Sequence, residues 1–319
     1  MLPTATVDVL CAGIIVADHV CAPISHLPAA GELVMADRLL LTLGGCAANT
    51  AVDLAKMGVR SAVAGRIGTD LFGRIVVDML REAHVDTNAL KAVSGQDTSQ
   101  TLIVNVQGQD RRYIHTFGAN AGFHASDIDP SGCKILYVGG FLLMQELGGS
   151  DLAKVFTSAR ARGVRTFLDV VTPPGVDYLA QLKPVLPVTD VFKPNRDEAH
   201  LITGESDMRR QAQIFRDLGV QNAIISGGAE GALLVNDEGT FRAGTYNVEF
   251  VDGSGGGDAF DAGFIYGMLN GYSTIDCLRY ASALGASCVR AIGTTPGVFT
   301  RAECDEFIAR NDLKIEKAS

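Results

Sequence analysis

The segment 251–264, VDGSGGGDAFDAGF, combines glycine and acidic residues in a spacing that could hold an anion. Three consecutive glycines, Gly255, Gly256 and Gly257, come directly before an apolar stretch of helical composition. Glycines in front of a helix leave successive backbone N–H groups open to an approaching oxygen, and the helix dipole adds partial positive charge there. The segment therefore predicts an anion-binding turn.

A flexible linker is the alternative interpretation of these glycines. Linkers have few apolar neighbours, whereas this segment separates TYNVEFV from a fourteen-residue apolar stretch. A Walker A loop is excluded because no Gly-Lys-Ser/Thr follows. The dinucleotide fingerprint is excluded because it belongs to the first strand–helix unit. Taken alone, such a turn is more often structural than ligand-binding.

Asp258 follows the glycines directly. A carboxylate in the first turn of a helix is stabilised by the dipole, so the residue could be a capping aspartate. A carboxylate beside an anion site could also act as a general base that takes a proton from an attacking hydroxyl. The two roles are compatible, and residue chemistry does not separate them.

Further polar residues and glycines stand at predicted strand ends and helix starts upstream. Each of these residues, named below, also has a purely structural interpretation. In chain order these are a loop aspartate, a polar residue in the first turn of a helix, a capping box and a plain turn. Asp18 is predicted to follow the first strand at its carboxyl end. The others are Gly44 and Gly45 before a helix with Asn49 in its first turn, the pair Asn195 and Glu198 at another helix start, and Ser226, Gly228 and Gly231 at a strand–strand turn.

Alternating strands and helices are predicted to position these residues. Strands are expected at VDVLCAGI, KILYVGG and VRTFLDVV, and helices at CAANTAVDLAKMG and DLAKVFTSARARG. The chain is expected to close with two apolar helices, DAFDAGFIYGMLNG and TIDCLRYASALGASCVRAIG. Such alternation predicts the α/β class, with a mostly parallel central sheet covered on both faces.

Two segments interrupt this alternation. ELVMADRLLLTLGG and SQTLIVNVQGQDRRYIHTFG read as strands without intervening helices, the second with a hairpin signal. We expect a single domain over residues 1–319, with the strands of a small β-sheet lid inserted at 14–43 and 97–122. Apolar residues expected to be exposed in these strands, such as Leu39 and Leu41, predict a homodimer through the lid sheet.

Composition excludes several classes of protein. The 319 residues carry a formal net charge of −9 without a basic block, so binding to nucleic acid is not expected. An odd number of cysteines, seven, without a C-x-x-C pair argues against a disulfide framework or structural zinc. No uninterrupted apolar run is long enough for a membrane span, and the amino terminus lacks a basic leader region. A cytoplasmic location is the expectation.

In their order along the chain, these features resemble the ribokinase-like (PfkB) family of carbohydrate and nucleoside kinases. LGGCAANTAVDLAKMGVRSAVAGRIGTDLFGRIVVDMLREAHVDT is similar to that family's N-terminal signature, and DGSGGGDAFDAGFIYGML to its C-terminal one. The resemblance covers nearly the whole chain. It implies a ribokinase-like three-layer sandwich with the lid sheet.

The resemblance also implies roles for individual residues. Asp258 would be the catalytic base and Gly255–Gly257 the anion hole. Glu198 would position Mg²⁺, through water, near the nucleotide phosphates. Asp252 matches a position associated with a monovalent cation, K⁺. The substrate hydroxyls would be held by Asp18, Gly44, Gly45 and Asn49, and the nucleotide by Asn195, Ser226, Gly228, Gly231 and Ser282.

The chain departs from the family pattern at a few positions. Gly253 and Ser254 replace the usual two threonines, which leaves the potassium requirement open, and Gly256 replaces the usual alanine. His84 stands where the family often has glycine, a change expected to affect only a helix end. Among basic residues, Arg111 and Arg112 could reach a substrate or lie in a solvated hairpin. Lys193 could face the nucleotide phosphates or simply end a strand.

These features together predict an ATP-dependent kinase that phosphorylates a primary hydroxyl of a sugar or sugar acid, with Mg²⁺ and ATP. A nucleoside kinase is the nearest alternative. The low aromatic content, 7% with no Trp, favours a sugar because a nucleobase usually requires an aromatic or apolar clamp. A non-catalytic sugar- or nucleotide-binding protein is the alternative from another class.

Overall fold

The structure is a computed structural model, and it describes residues 7–109 and 111–318. The strands are β1 (Val9–Gly13), β2 (Val16–Ile24), β3 (Leu39–Gly44), β4 (Ser61–Gly68), β5 (Asp86–Val93), β6 (Gln100–Val106), β7 (Arg112–Thr116), β8 (Ile135–Phe141), β9 (Arg165–Val170), β10 (Val191–Phe192), β11 (Asn222–Ser226), β12 (Ala232–Asn236), β13 (Gly239–Ala243) and β14 (Ile315–Ala318). The helices are α1 (Cys46–Lys56), α2 (Leu71–Glu82), α3 (Gly149–Ala161), α4 (Tyr178–Leu182), α5 (Arg196–Thr203), α6 (Met208–Asp217), α7 (Gly256–Leu269), α8 (Thr274–Cys288) and α9 (Arg301–Arg310).

The central sheet has the strand order β14-β13-β12-β11-β10-β9-β8-β1-β4-β5. The pairs from β11 through β10, β9, β8, β1 and β4 to β5 are parallel. The pairs β11–β12, β12–β13 and β13–β14 are antiparallel. The predicted mostly parallel sheet is confirmed, with an antiparallel extension at one edge.

Side-chain alternation along β1 divides the core between the two faces of this sheet. Val9 and Cys11 belong to a core with side chains of α1, α7 and α8, whereas Leu10 and Ala12 belong to a second core with side chains of α3 and α6. Because neighbouring strand residues point to opposite faces, a strand covered on both sides must be apolar throughout. The three-layer arrangement is therefore confirmed.

A second, smaller sheet has the order β3-β2-β6-β7. β2 pairs with β3 antiparallel and with β6 parallel, and β6 and β7 form the predicted hairpin. The segment 32–38, predicted as part of a strand, lies outside β3. Leu39 is exposed as expected, but Leu41 is half-buried against the main core, so the expectation that Leu41 is exposed was wrong.

Further predictions from the sequence concern the helix ends, the cysteine side chains and the end of the chain. His84, which follows the C-cap residue of α2, has a φ of 62°, so the position does adopt the left-handed backbone that favours glycine. The seven cysteines are free thiols, as expected. α9 and β14 follow α8, so the expectation that the chain closes with two helices was wrong. In the described part of the chain, helices are too short or too polar to cross a membrane.

Candidate active site

The glycine triplet forms a tight turn into α7 and is not a linker. Gly255 is the N-cap residue, with a φ of 75°. A Cβ on Gly255 would lie 2.3 Å from the carbonyl oxygen of Thr294, so a side chain has neither the backbone conformation nor the space it needs. Gly256 and Gly257 open the helix, where backbone N–H groups have no carbonyl four residues earlier in the helix to bond. Backbone N–H groups at this helix start therefore remain where an anion could approach them, and anion binding by the turn stays a prediction.

Asp258 lies half-buried in the first turn of α7. Its Oδ2 accepts a hydrogen bond of 2.8 Å from Nδ2 of Asn49 on α1, so the bond joins two helices and does not cap α7. Burial, and then the charge of Asp169, raise the pKa of Asp258 to about 6, against the hydrogen bonds from Asn49 and Cys46 and the charge of Lys193. A base is most effective with a pKa near the working pH, and this environment provides it.

A buried lysine lies beneath the glycine turn. Nζ of Lys193 is 3.2 Å from Oδ1 of Asp169, 3.2 Å from Oδ1 of Asp261 and 3.3 Å from the carbonyl oxygen of Gly257. Burial alone would lower the pKa of Lys193, but the Asp169 and Asp261 carboxylates outweigh it and hold the pKa well above its usual range. The lysine therefore stays charged beside the turn, rather than simply ending a strand.

Asp169 and Asp261 were missed by the sequence analysis. Asp169 is the second-last residue of the apolar strand β9, and Asp261 lies one helical turn after Asp258 on the same helix. Oδ2 of Asp261 accepts a hydrogen bond of 3.2 Å from the Tyr137 hydroxyl. A charge at the carboxyl end of a buried strand, and one inside an apolar helix, were the available signals.

Asn195 and Glu198 form a capping box at the start of α5. Oδ1 of Asn195 accepts from the Glu198 N–H at 2.9 Å, and Oε2 of Glu198 accepts from the Asn195 N–H at 2.8 Å. The structural interpretation is thus confirmed, yet both residues also line the cavity described next. Burial, and then the Asp169 carboxylate, raise the pKa of Glu198 to about 8.

The carboxylates at this end of the sheet exceed the available positive charge. Among the groups that shift the pKa values of Glu198, Asp258 and Asp261, Lys193 is the cation that all three have in common. Hard divalent cations prefer oxygen ligands, and Mg²⁺ usually binds through one or two carboxylates, water and substrate phosphates. The residues present therefore fit Mg²⁺ carried by a nucleotide.

A cavity of about 580 Å³ connects these groups. Its walls include the apolar side chains of Tyr246, Val248, Phe250 and Val289. Such a site, apolar with a few polar groups, is typical of a cofactor or nucleotide. The cavity brings together these predicted residues: Asn195, Glu198, Ser226, Gly228, Gly231, Gly255, Gly256, Gly257, Asp258 and Ser282.

The predicted sugar residues gather on the other side of Asp258. Asp18 lies in β2 of the second sheet, so the expectation that it directly follows the first strand was wrong. A Cβ on Gly44 would lie 2.0 Å from Oδ2 of Asp18, and Gly45 is the N-cap of α1, which carries Asn49. Burial raises the pKa of Asp18 to about 6, opposed by a hydrogen bond with Thr101 and assisted by the charge of Asp258.

Oδ1 of Asn49 is buried and has no hydrogen-bond partner among the described residues. A buried acceptor without a partner costs free energy that a bound hydroxyl would recover. Because Nδ2 of the same side chain bonds Asp258, a hydroxyl on Oδ1 would lie next to the base. The amide therefore links Asp258 to the predicted sugar residues.

Asp252 is buried directly before the glycine turn and pairs with Arg111 of the β6–β7 hairpin at 3.2 Å. Arg112, the next residue, donates to Oε1 of Gln109 and is exposed. Of the two arginines, the structure thus brings Arg111 to the site and leaves Arg112 on the hairpin surface.

Comparisons with known proteins bear on the family and on the fold. The family model described as pfkB family carbohydrate kinase matches residues 7–301. The chain is 27% identical to the ribokinase of Haemophilus influenzae over 304 residues, covering 93% of this chain and 96% of that one. A putative ribokinase II from E. coli, solved in complex with ATP and Mg²⁺, superposes with a TM-score of 0.81 at 23% identity, covering 95% and 99% of the two chains. A nucleoside kinase of Methanocaldococcus jannaschii, described as an archaeal member of the ribokinase family, superposes with a TM-score of 0.79 at 18% identity, covering 96% and 99%.

Proposed function

The chain belongs to the pfkB family of carbohydrate kinases, and on that premise we propose that it transfers the γ-phosphoryl group of ATP to a primary hydroxyl of a sugar or sugar acid. One observation carries the proposal. The half-buried carboxylate of Asp258 lies between the glycine turn of the cavity and Asn49 on the proposed sugar side, with its pKa raised to about 6. A base in that place can reach a hydroxyl while the turn holds the phosphoryl group.

The reaction follows from this arrangement. Asp18 and Oδ1 of Asn49 hold hydroxyls of the acceptor, and Asp258 accepts the proton of the primary hydroxyl. The hydroxyl oxygen forms a bond to the γ-phosphorus as the bond from that phosphorus to the bridging oxygen breaks, which leaves ADP. Backbone N–H groups of Gly255–Gly257, together with the helix dipole, stabilise the charge on the transferring group.

The nucleotide lies in the cavity in this proposal, with its base against the apolar wall near Ser282 and its phosphates towards the glycine turn. Lys193 supplies fixed positive charge beneath that turn. Glu198 would hold Mg²⁺ near the nucleotide phosphates, where the metal would supply positive charge against them. The second sheet acts as a lid over the acceptor, which excludes water and limits wasteful hydrolysis of ATP.

The pH dependence of kcat/KM tests the base. Asp258 works only when deprotonated, and its pKa is raised to about 6, so activity is present above that pH and lost as the pH falls through it. We expect kcat/KM to fall about tenfold for each pH unit below 6 and to level off above it. Because the Asn49 hydrogen bond opposes the rise in pKa, Asn49→Ala should move the acid limb to higher pH. A profile that stays flat between pH 5 and 8 would contradict the assignment.

An assay of ADP release over a panel of free sugars, sugar acids and ribonucleosides tests the reaction and its acceptor class. We expect turnover with a sugar or sugar acid above the rate of ATP hydrolysis in water alone. Turnover confined to ribonucleosides would support the nucleoside kinase. Binding of ATP without turnover of any acceptor would support a non-catalytic binding protein on the same scaffold.

The second sheet also supports a homodimer in this proposal. Leu39, Leu102 and Ile114 share one face of that sheet by strand register, and all three are exposed. Burial of such a row is favourable in an assembly. Sedimentation equilibrium tests the homodimer, because a mass near 33.6 kDa would show a monomer.

We also propose that the whole chain is one domain with the lid strands as insertions, and that the protein is located in the cytoplasm.

A further inference from the structure

The tip of the lid hairpin contacts the loop that precedes the glycine turn. Arg111 lies directly before β7, and its Nη1 is 3.2 Å from Oδ1 of Asp252 and 2.7 Å from Oγ of Ser254. The Asp252 side chain is 6% exposed and that of Arg111 26%, so the pair is largely shielded from water. The contact joins segments 141 positions apart, and Gly255 follows Ser254 directly.

Gly253 makes room for this guanidinium. A Cβ on Gly253 would lie 3.3 Å from Nη2 of Arg111 and 3.5 Å from Nη1. A larger side chain, such as the threonine that the resemblance leads one to expect, would extend further in the same direction. The glycine at 253 and the arginine at 111 therefore complement each other.

Oδ1 of the Asp252 carboxylate is fully used by protein donors. It accepts from the Ser254 N–H at 3.0 Å, from Oγ of Ser254 at 2.9 Å and from Arg111. Oδ2 accepts from the Gly293 N–H at 3.0 Å. Each carboxylate oxygen offers about two acceptor positions, so Oδ1 has none left, and the guanidinium beside it already supplies positive charge. The residues present therefore do not fit a monovalent cation at Oδ1 of Asp252.

We propose that Arg111 is a positioning residue of the kinase: its guanidinium is the built-in cation of the anion-hole loop, so the enzyme needs no added monovalent cation. The proposal rests on the proposed function. A buried carboxylate requires a charged partner, and Arg111 supplies it from the lid hairpin. Because Asp252 and Ser254 lead into Gly255, the shape of the glycine turn depends on the hairpin being in place.

The test compares Arg111→Ala with Arg112→Ala in buffers whose cation is tetramethylammonium. Arg112 is the matched control because it is a neighbouring arginine bonded within the hairpin. We expect the native enzyme to have the same kcat with and without K⁺. Arg111→Ala should lose about 10- to 100-fold in kcat, the effect of one charged hydrogen bond, and regain part of it with guanidinium or K⁺. Arg112→Ala should match the native enzyme.

Hydrogen exchange of the backbone gives a readout that does not require turnover. Arg111→Ala should speed exchange in peptides covering 251–257, and Arg112→Ala should not. A native enzyme that requires K⁺, or an Arg111→Ala variant with unchanged kcat and exchange, would overturn the proposal. If no acceptor is phosphorylated, the proposed function fails, while the exchange comparison still decides whether Arg111 shapes the loop.

Discussion

Asp258→Asn is expected to lower kcat by about 100- to 10,000-fold, the range for loss of a general base, while the affinity for ATP stays largely unchanged. Asparagine has nearly the same shape and can still accept the hydrogen bond from Asn49, so the turn and the cavity keep their geometry. It cannot take a proton from the acceptor hydroxyl. Steady-state kinetics and a nucleotide-binding titration would measure the two quantities separately.

The same substitution is expected to stabilise the fold. The pKa of Asp258 rises from 3.8 to about 6 on folding. The native state therefore binds the proton more tightly than the unfolded chain, and stability is lost as the pH rises from about 4 to 6. By linkage the ionised carboxylate costs about 3 kcal/mol at neutral pH. Asparagine removes that cost, so thermal unfolding at pH 7 should occur at a higher temperature.

Asp261→Asn is the matched control. It removes a buried carboxylate from the same helix, beside the same lysine, without touching the proposed position of the acceptor. Its kcat should fall far less than that of Asp258→Asn. Near-normal phosphorylation by Asp258→Asn would rule out a base at 258. Equal losses in the two variants would show that the charge of the cluster matters rather than a base at 258.

The site could be anticipated where its chemistry is local. The glycines before α7 and the capping box at Asn195 follow from neighbouring residues alone, because helix starts obey short-range rules. Asp18 shows where prediction from neighbouring residues fails. Gly13 has a φ of 139°, and its Cβ would lie 2.2 Å from the carbonyl oxygen of Gly139, so the chain leaves the central sheet there and continues in the second one. The apolar run through Val16 hides that change of sheet.

Charge pairing across the fold could not be anticipated either. Lys193 and Asp169 come from adjacent strands, but their pairing with Asp261 depends on how α7 lies on the sheet. The contact of Arg111 with Asp252 depends on the tilt of the second sheet against the first. Neither orientation is encoded in local spacing, because each results from packing of whole elements.

Gly255→Ala and Gly256→Ala are expected to differ sharply, although the residues are adjacent. At Gly255 the φ of 75° and the 2.3 Å approach of the added Cβ to the Thr294 carbonyl oxygen force the turn to move. We expect kcat to fall by about 100- to 1,000-fold, as when an oxyanion-hole donor is lost. At Gly256 the Cβ would lie 3.4 Å from Cγ1 of Val289, an ordinary contact, so kcat should change little.

The free energy of unfolding of the two variants helps to separate two explanations for a loss of activity, a loop that must be flexible and a turn that must keep its shape. Gly256→Ala replaces glycine in a helix and should raise the free energy of unfolding by about 0.5 to 1 kcal/mol, whereas Gly255→Ala should lower it. If catalysis needed only a flexible loop, Gly256→Ala would cost as much activity as Gly255→Ala, because both remove a glycine's freedom. If it needs amides held in one geometry, only the variant that displaces the turn loses activity. Equal loss in both variants would contradict an anion hole shaped by Gly255.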